Sequence, residues 1–183
     1  MNIVNSKRGT YYIADTLVNQ HPDKETLKDI ARLTANTIRF FNEEPKIAGI
    51  SFSSFGVDKT GSPRLMHDVV AELQAEDPNL KIDGEMTVDL ALDHKRRDEK
   101  YPFLRLHGEN VNSMIFTSLS AANSAYRLIK QFSPETEVIG PIQMGLNKPI
   151  HFTDFDSSVR DIVNITAVAV IDAYVNKIKN TRK

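Results

Sequence analysis

The sequence predicts an α/β fold of three layers, αβα, built around a mainly parallel sheet. Three observations carry this. Short apolar runs alternate with longer amphipathic ones along the chain. The connections between them are brief, and the longer runs open on helix-start residues. No internal repeat, low-complexity segment or linker interrupts the pattern.

The elements follow in order. Tyr11–Ala14 is strand-like. Leu27, Ile30, Ala31, Thr34, Ile38 and Phe41 then recur at helical spacing, with Pro22 and Asp23 as the start signal. Lys46–Phe52 reads as the next strand. A helix follows with Ser62 as cap and Pro63 at its first position, where the missing N–H costs nothing. Residues 80–86 form a third strand and 113–117 a fourth, followed by a helix over 118–132. Residues 137–140 and 148–152 read as short terminal strands. The last helix starts near Ser157, which suits an N-cap, with Asp161 in its first turn. Its body, Ile162–Val175, is too uniformly apolar for an ordinary surface helix and is expected to pack in a core or against another domain or subunit.

Composition excludes several functions. The chain has 183 residues, with 23 Lys and Arg against 24 Asp and Glu. The formal net charge of −1 offers no positive field for nucleic acid, so no nucleic-acid partner is expected. With no cysteine there is no disulfide, thiolate metal site or cysteine nucleophile. The start, MNIVNSKRGTYY, lacks the apolar stretch of a secretory signal. The longest apolar run is too short to span a bilayer, so a cytoplasmic chain without a membrane partner is expected. The five histidines (His21, His67, His94, His107, His151) show no metal-ligand spacing, and no metal site is expected. The mixed-sign run Asp93–Lys100 reads as a solvated surface segment.

In open α/β sheets ligands bind beyond the carboxyl ends of the strands. That rule singles out Ser51–Gly56, Asp83–Glu85, Thr117–Asn123, Gly140–Ile142 and Thr153–Ser158. Ser53 and Ser54 could cradle an anion, although the run lacks the glycines and lysine of a nucleotide-binding loop. Asp83 and Glu85 share a strand face and could act as paired carboxylates, but Gly84 between them favours a bulge or a close backbone approach. The start of the last helix would favour an anion through its free N–H groups.

Seven segments, read together and in order from Tyr11 to Ala173, resemble the phosphate acetyl/butyryltransferase family. They are YYIADTLVNQHPDKETLKDIA, PKIAGISFSSFG, IDGEMTVDLAL, YPFLRL, NSMIFTSLSAANSAYRLI, EVIGPIQMGLNKPIH and SSVRDIVNITAVAVIDA. The resemblance implies a phosphotransacetylase-like fold, with isocitrate/isopropylmalate dehydrogenase-like topology, of which this chain is the second half. It divides the chain into an α/β subdomain, 1–152, and a C-terminal helix, 153–183, belonging to another, largely absent subdomain. The family's active site lies in the cleft between subdomains. Catalytic members carry Ser-Arg before the last helix in a pattern like SRGCSVEDIV, with the Ser and a downstream Asp acting on the coenzyme A thiol and the Arg holding phosphate. Here that Asp falls on Asp161, while Ser and Arg fall on Asp154 and Phe155. A carboxylate repels phosphate and a phenyl ring cannot bind it.

That loss is similar to the phosphotransacetylase-like C-terminal domain of bacterial NADP-dependent malic enzymes, which is thought to sense acetyl-CoA rather than catalyse. The resemblance therefore implies acetyl-CoA or coenzyme A as ligand, in a cleft formed by Asp154, Ser157, Ser158, Gly140, Pro141, Asn123, Ser53 and Ser54. Asp161 would be catalytic only if activity is retained. NADP and a divalent metal would belong to the upstream part of the parent enzyme. The uncovered last helix implies a homo-oligomer, a dimer or larger. The alternative is a phosphate acetyltransferase.

Overall fold

The computed structural model describes residues 1–133 and 135–181, with side chains through Val175. Six strands form one sheet: β1 (Asn2–Ser6), β2 (Gly9–Ala14), β3 (Lys46–Ile50), β4 (Lys81–Met86), β5 (Ser113–Phe116) and β6 (Glu137–Ile139). Their spatial order is β4-β3-β5-β2-β1-β6. The pairs β4–β3, β3–β5 and β5–β2 are parallel, and β1 runs antiparallel to both β2 and β6. β2 to β6 therefore all point the same way, and their carboxyl ends share one edge of the sheet.

The helices are α1 (Lys24–Phe40), α2 (Gly61–Glu76), α3 (Val88–Leu92), α4 (His94–Lys100), α5 (Leu119–Phe132) and α6 (Val159–Thr181). Strand alternation sends neighbouring residues to opposite faces, and two cores result. Ile3, Tyr12, Ile47, Ile82 and Ile115 join Leu27, Ile30 and Ile38 of α1 and Met66, Val70 and Leu73 of α2. Val4, Ile13, Ala48, Met86 and Met114 pack on the other face with Leu90 of α3 and Ala122 of α5. This is the expected three-layer α/β arrangement.

Several local expectations are corrected. β1 was not anticipated; it is a short run bounded by Asn2 and Ser6, and only pairing with β2 and β6 makes it a strand. Residues 148–152 are irregular chain rather than a strand. α2 starts at Gly61 with Thr60 as cap, ahead of the expected Ser62. The run Asp93–Lys100 contains α4, and it is not wholly solvated. Arg97 is fully buried and donates to the carbonyl oxygens of Ala91, Leu106 and Glu109 at 3.2, 2.7 and 2.6 Å. Its Nε makes no hydrogen bond but lies 3.4 Å from the Asp98 carboxylate, and this buried guanidinium ties α4 to the chain on either side.

α6 departs most from an ordinary amphipathic helix. Ile165 and Val168 are buried in the first core. Asn164 and Arg160 bind the Glu137 carboxylate of β6 at 3.0 and 2.7 Å. Val163, Val170 and Tyr174 are 60, 63 and 65 % exposed. Among the described residues, much of its apolar surface therefore has no cover.

Candidate functional site

The end of β6, one side of α5 and the turn leading into α6 frame a cavity of about 380 Å³. Its walls come from local chemistry. Gly140, just past β6, takes φ +138°, a conformation open to glycine. A side chain there would also meet the Asn2 amide of β1, because a Cβ would lie 2.3 Å from Asn2 Oδ1. The absence of a side chain at Gly140 thus lets the chain turn over β1 into Pro141.

The opposite wall is the turn 154–157. Asp154 N–H donates to Ser157 Oγ at 3.0 Å, and Ser157 N–H donates to the Asp154 carbonyl at 3.1 Å. The helix cap is Ser158 rather than the expected Ser157. Ser158 Oγ accepts from Asp161 N–H at 3.1 Å, while Asp161 Oδ2 accepts from Ser158 N–H at 3.0 Å and from its hydroxyl at 2.8 Å. This is a reciprocal capping box with Asp in the acidic position. Ser157 is diverted because its hydroxyl closes the preceding turn. The Ser158 hydrogen bonds hold the Asp161 carboxyl below its ordinary range, with smaller help from Lys130 and Arg160.

Of the residues nominated from sequence, Gly140, Pro141, Asp154, Ser157 and Asp161 all line this cavity. Ser158 lines an open groove that continues from it past Asp156 and Lys130. Asn123 does not line the cavity. Its Nδ2 donates to the Thr16 carbonyl at 3.1 Å, and its Oδ1 accepts from Arg127 Nε at 2.8 Å, so it sets the guanidinium of a residue that does. Ser53 and Ser54 lie elsewhere, in the β3–α2 connection near the opposite end of the sheet. Ser53 Oγ accepts from Asp58 N–H at 2.9 Å and Ser54 Oγ from Thr87 N–H at 3.2 Å. Both hydroxyls are used in shaping that loop.

Arg127, Lys130, Tyr126 and Asn2 line the cavity without having been nominated, and Asp156 joins them from the singled-out stretch Thr153–Ser158. For α5 a signal existed: residues 123, 126, 127 and 130 share one helical face by their spacing, so Asn123 pointed to its neighbours. Asn2 had no such signal, since strand pairing alone brings it here. The cavity sets the cations Arg127 and Lys130 against the carboxylates of Asp154, Asp156 and Asp161. Such a site suits a ligand with separated polar and anionic parts better than a compact free anion.

Asp83 and Glu85 prove to be structural. Asp83 accepts from Leu106 N–H at 2.7 Å and from Gln74 at 2.9 Å, with burial holding its carboxyl above the ordinary range. Fully buried Glu85 accepts from Gly56 N–H at 2.6 Å and meets His67 Nδ1 at 3.2 Å. Gly84 between them is a close approach: a Cβ there would lie 2.6 Å from the Gly49 carbonyl oxygen of β3. Among the described residues no group of three or more His, Asp or Glu is placed to hold a metal, and no helix is long and apolar enough to cross a membrane.

Comparison with known proteins agrees with this fold. A family model described as Phosphate acetyl/butaryl transferase matches residues 1–170. The NADP-dependent malic enzyme of Salmonella typhimurium (strain LT2) is 38% identical over 173 residues, which are 94% of this chain and 23% of that protein. The phosphate acetyltransferase of Clostridium acetobutylicum is 36% identical over 168 residues, 91% of this chain and 50% of that one. The structure of EutD phosphotransacetylase from Staphylococcus aureus superposes with a TM-score of 0.84 at 28% identity, covering 94% of this chain and 53% of that one. The chain thus spans half or less of the length of these two curated relatives.

Proposed function

The chain belongs to the phosphate acetyl/butaryl transferase family, and from that membership we propose that it is a catalytically degenerate member that binds acetyl-CoA as a regulatory ligand. It acts as part of a longer NADP-dependent malic enzyme, in the cytoplasm. The turn 154–157 carries the reading. The family resemblance implies Ser-Arg there in catalytic members, whereas this chain has Asp154 and Phe155, and the Phe155 ring is fully exposed. The capping box also supports it. Asp161 is engaged by Ser158 and held in its ionised form, which makes it a weak proton acceptor for a thiol.

Arg127 and Lys130 suit the phosphates of coenzyme A, and the adjoining groove gives an elongated ligand room. In this reading residues 1–152 form one subdomain, and α6 belongs to a second one completed by a preceding half-domain. The uncovered apolar side of α6 packs against that half and near a second copy, in a dimer or larger assembly. NADP and a divalent cation belong to upstream parts of the polypeptide, where malate is oxidatively decarboxylated. The test is a pair of assays on the intact polypeptide that carries this chain. Acetyl-CoA should bind saturably and change malate oxidation, while acetyl phosphate plus coenzyme A should give no acetyl-CoA above background. Clear acetyl transfer would instead establish the second reading, a phosphate acetyltransferase, which the match to that enzyme of C. acetobutylicum favours.

A further inference from the structure

An aromatic face lies at the β4 end of the sheet, whereas α6 binds β6 at the other end. The connection 51–60, between β3 and α2, meets the segment 101–103, after α4, through three rings. The Phe55 ring centroid is 4.4 Å from that of Tyr101 and 5.8 Å from that of Phe103, and the last two are 6.0 Å apart. Beside them in the same two segments, Val57, Phe52 and Phe103 are 82, 70 and 72 % exposed.

This face is firmly held. Phe55 N–H donates to the Glu85 carbonyl at 2.8 Å, and Gly56 N–H to the fully buried Glu85 carboxylate at 2.6 Å. Tyr101 N–H donates to the Arg97 carbonyl at 2.8 Å, and Leu104 and Leu106 are buried directly after Phe103. Phe55 takes φ +50°, a left-handed conformation that is costly for an L-residue. The Glu85 bonds keep it there, and its ring stays against Tyr101.

Area and charge say what covers this face. At ~200 Å² for a whole aromatic side chain, Phe52 and Phe103 alone leave ~280 Å² open. One partner of a standard interface contributes ~800 Å², of which ~450 Å² is apolar, so these two rings with Val57 supply most of that share. Each segment is flanked by an adjacent acid and base, Asp58-Lys59 and Glu99-Lys100. Their neighbours on α4 pair off, Arg96 with Asp89 and Arg97 with Asp98, but among the described residues none of these four enters an ion pair. A rim of zero net charge steers no strongly charged partner, whereas a second copy brings the same acids and bases to meet it.

We propose that this face is a self-association surface, covered by the same face of a second copy of the chain about a two-fold axis. It is separate from the contact of α6.

The test is sedimentation of the intact polypeptide that carries this chain, with α6 unaltered. Asp58→Asn with Glu99→Lys leaves only cations on the rim and keeps an acceptor for Thr60. Lys59→Glu with Lys100→Glu leaves only anions. Each variant alone should self-associate at least about 100-fold more weakly, because like charges then face each other, and its mass should fall to about half the parent's or less. An equimolar mixture of the two should recover the parent's mass, which misfolded variants could not do. Phe103→Ser should weaken association about tenfold or more. A parent that does not associate overturns the proposal, as does a rim variant that keeps the parent's mass. Smaller variants that do not recover on mixing show that this face does not meet its own copy, and overturn it equally. Unchanged association in Phe103→Ser removes the aromatic core from the contact and does the same.

Discussion

Gly140 is where β6 enters the cavity beside α5, and Gly140→Ala separates two costs that usually come together. The first is backbone strain. At φ +138° an L-residue lies in territory reserved almost wholly for glycine, at about 1–3 kcal/mol. The second is overlap. The new methyl would sit 2.3 Å from Asn2 Oδ1 and 3.1 Å from both Asn2 Cγ and the Met1 carbonyl oxygen. The Asn2 amide can move, but Asn2 is 2 % exposed and the Met1 carbonyl is backbone, so relief is partial. Overpacking of this kind costs at least ~1 kcal/mol. Gly9 supplies the control. It has nearly the same φ, +131°, in the β1–β2 hairpin, yet a Cβ there meets nothing within 4 Å. Gly9→Ala therefore measures strain alone. Urea unfolding followed by circular dichroism should place Gly140→Ala below Gly9→Ala by ~1 kcal/mol or more. With a slope of ~2 kcal/mol per M that is at least ~0.5 M in midpoint. Only the Gly140 variant should also weaken acetyl-CoA binding, because only Gly140 walls the cavity. Equal midpoints for the two variants would refute the packing argument.

Three further outcomes are expected. Lys130→Gln should weaken acetyl-CoA binding about three- to tenfold and flatten its salt dependence, since one charge-assisted contact is lost; unchanged affinity in calorimetry would exclude Lys130 from the phosphate contacts. Glu109 is hydrogen-bonded to Lys46 and Lys81, which pull its carboxyl down to about 2. Its folded-state value lies below the unfolded one of ~4.3, so its contribution is complete above that pH and is lost as pH falls toward 2. Glu109→Gln should cost ~0.5–1 kcal/mol at pH 7 and make stability less acid-sensitive between those limits, and parallel pH profiles for variant and parent would contradict it. Val163→Lys with Val170→Lys should shift sedimentation toward smaller species if the exposed side of α6 is an interface; a parent already monomeric at micromolar concentration would refute that assembly.

Much of this protein is legible along the chain because the signals are local. Asp23 caps α1 by accepting from Thr26 N–H at 2.9 Å, as its position before an apolar run foretold, and Ser118, expected as the first helical residue, caps α5 by accepting from Ala121 N–H at 3.3 Å. Alternation within strands and the 3.6-residue period within helices depend only on near neighbours, so the α/β class follows from them. The rule that ligands sit beyond carboxyl ends singled out Gly140, Asp154 and Ser157, while the family resemblance added Asp161 and grouped these residues in one cleft. What the chain alone could not decide was which strand ends meet. Ser53 and Asn123 obeyed the same rule as Gly140, yet one lies across the sheet and the other orients Arg127 from behind. The order β4-β3-β5-β2-β1-β6 settles this, and it is set by hydrogen-bonded pairing between residues far apart in sequence. The same holds for Asn2, carried to the cavity by an unforeseen strand. Local chemistry determines which elements form; long-range pairing and burial determine which side chains face one another.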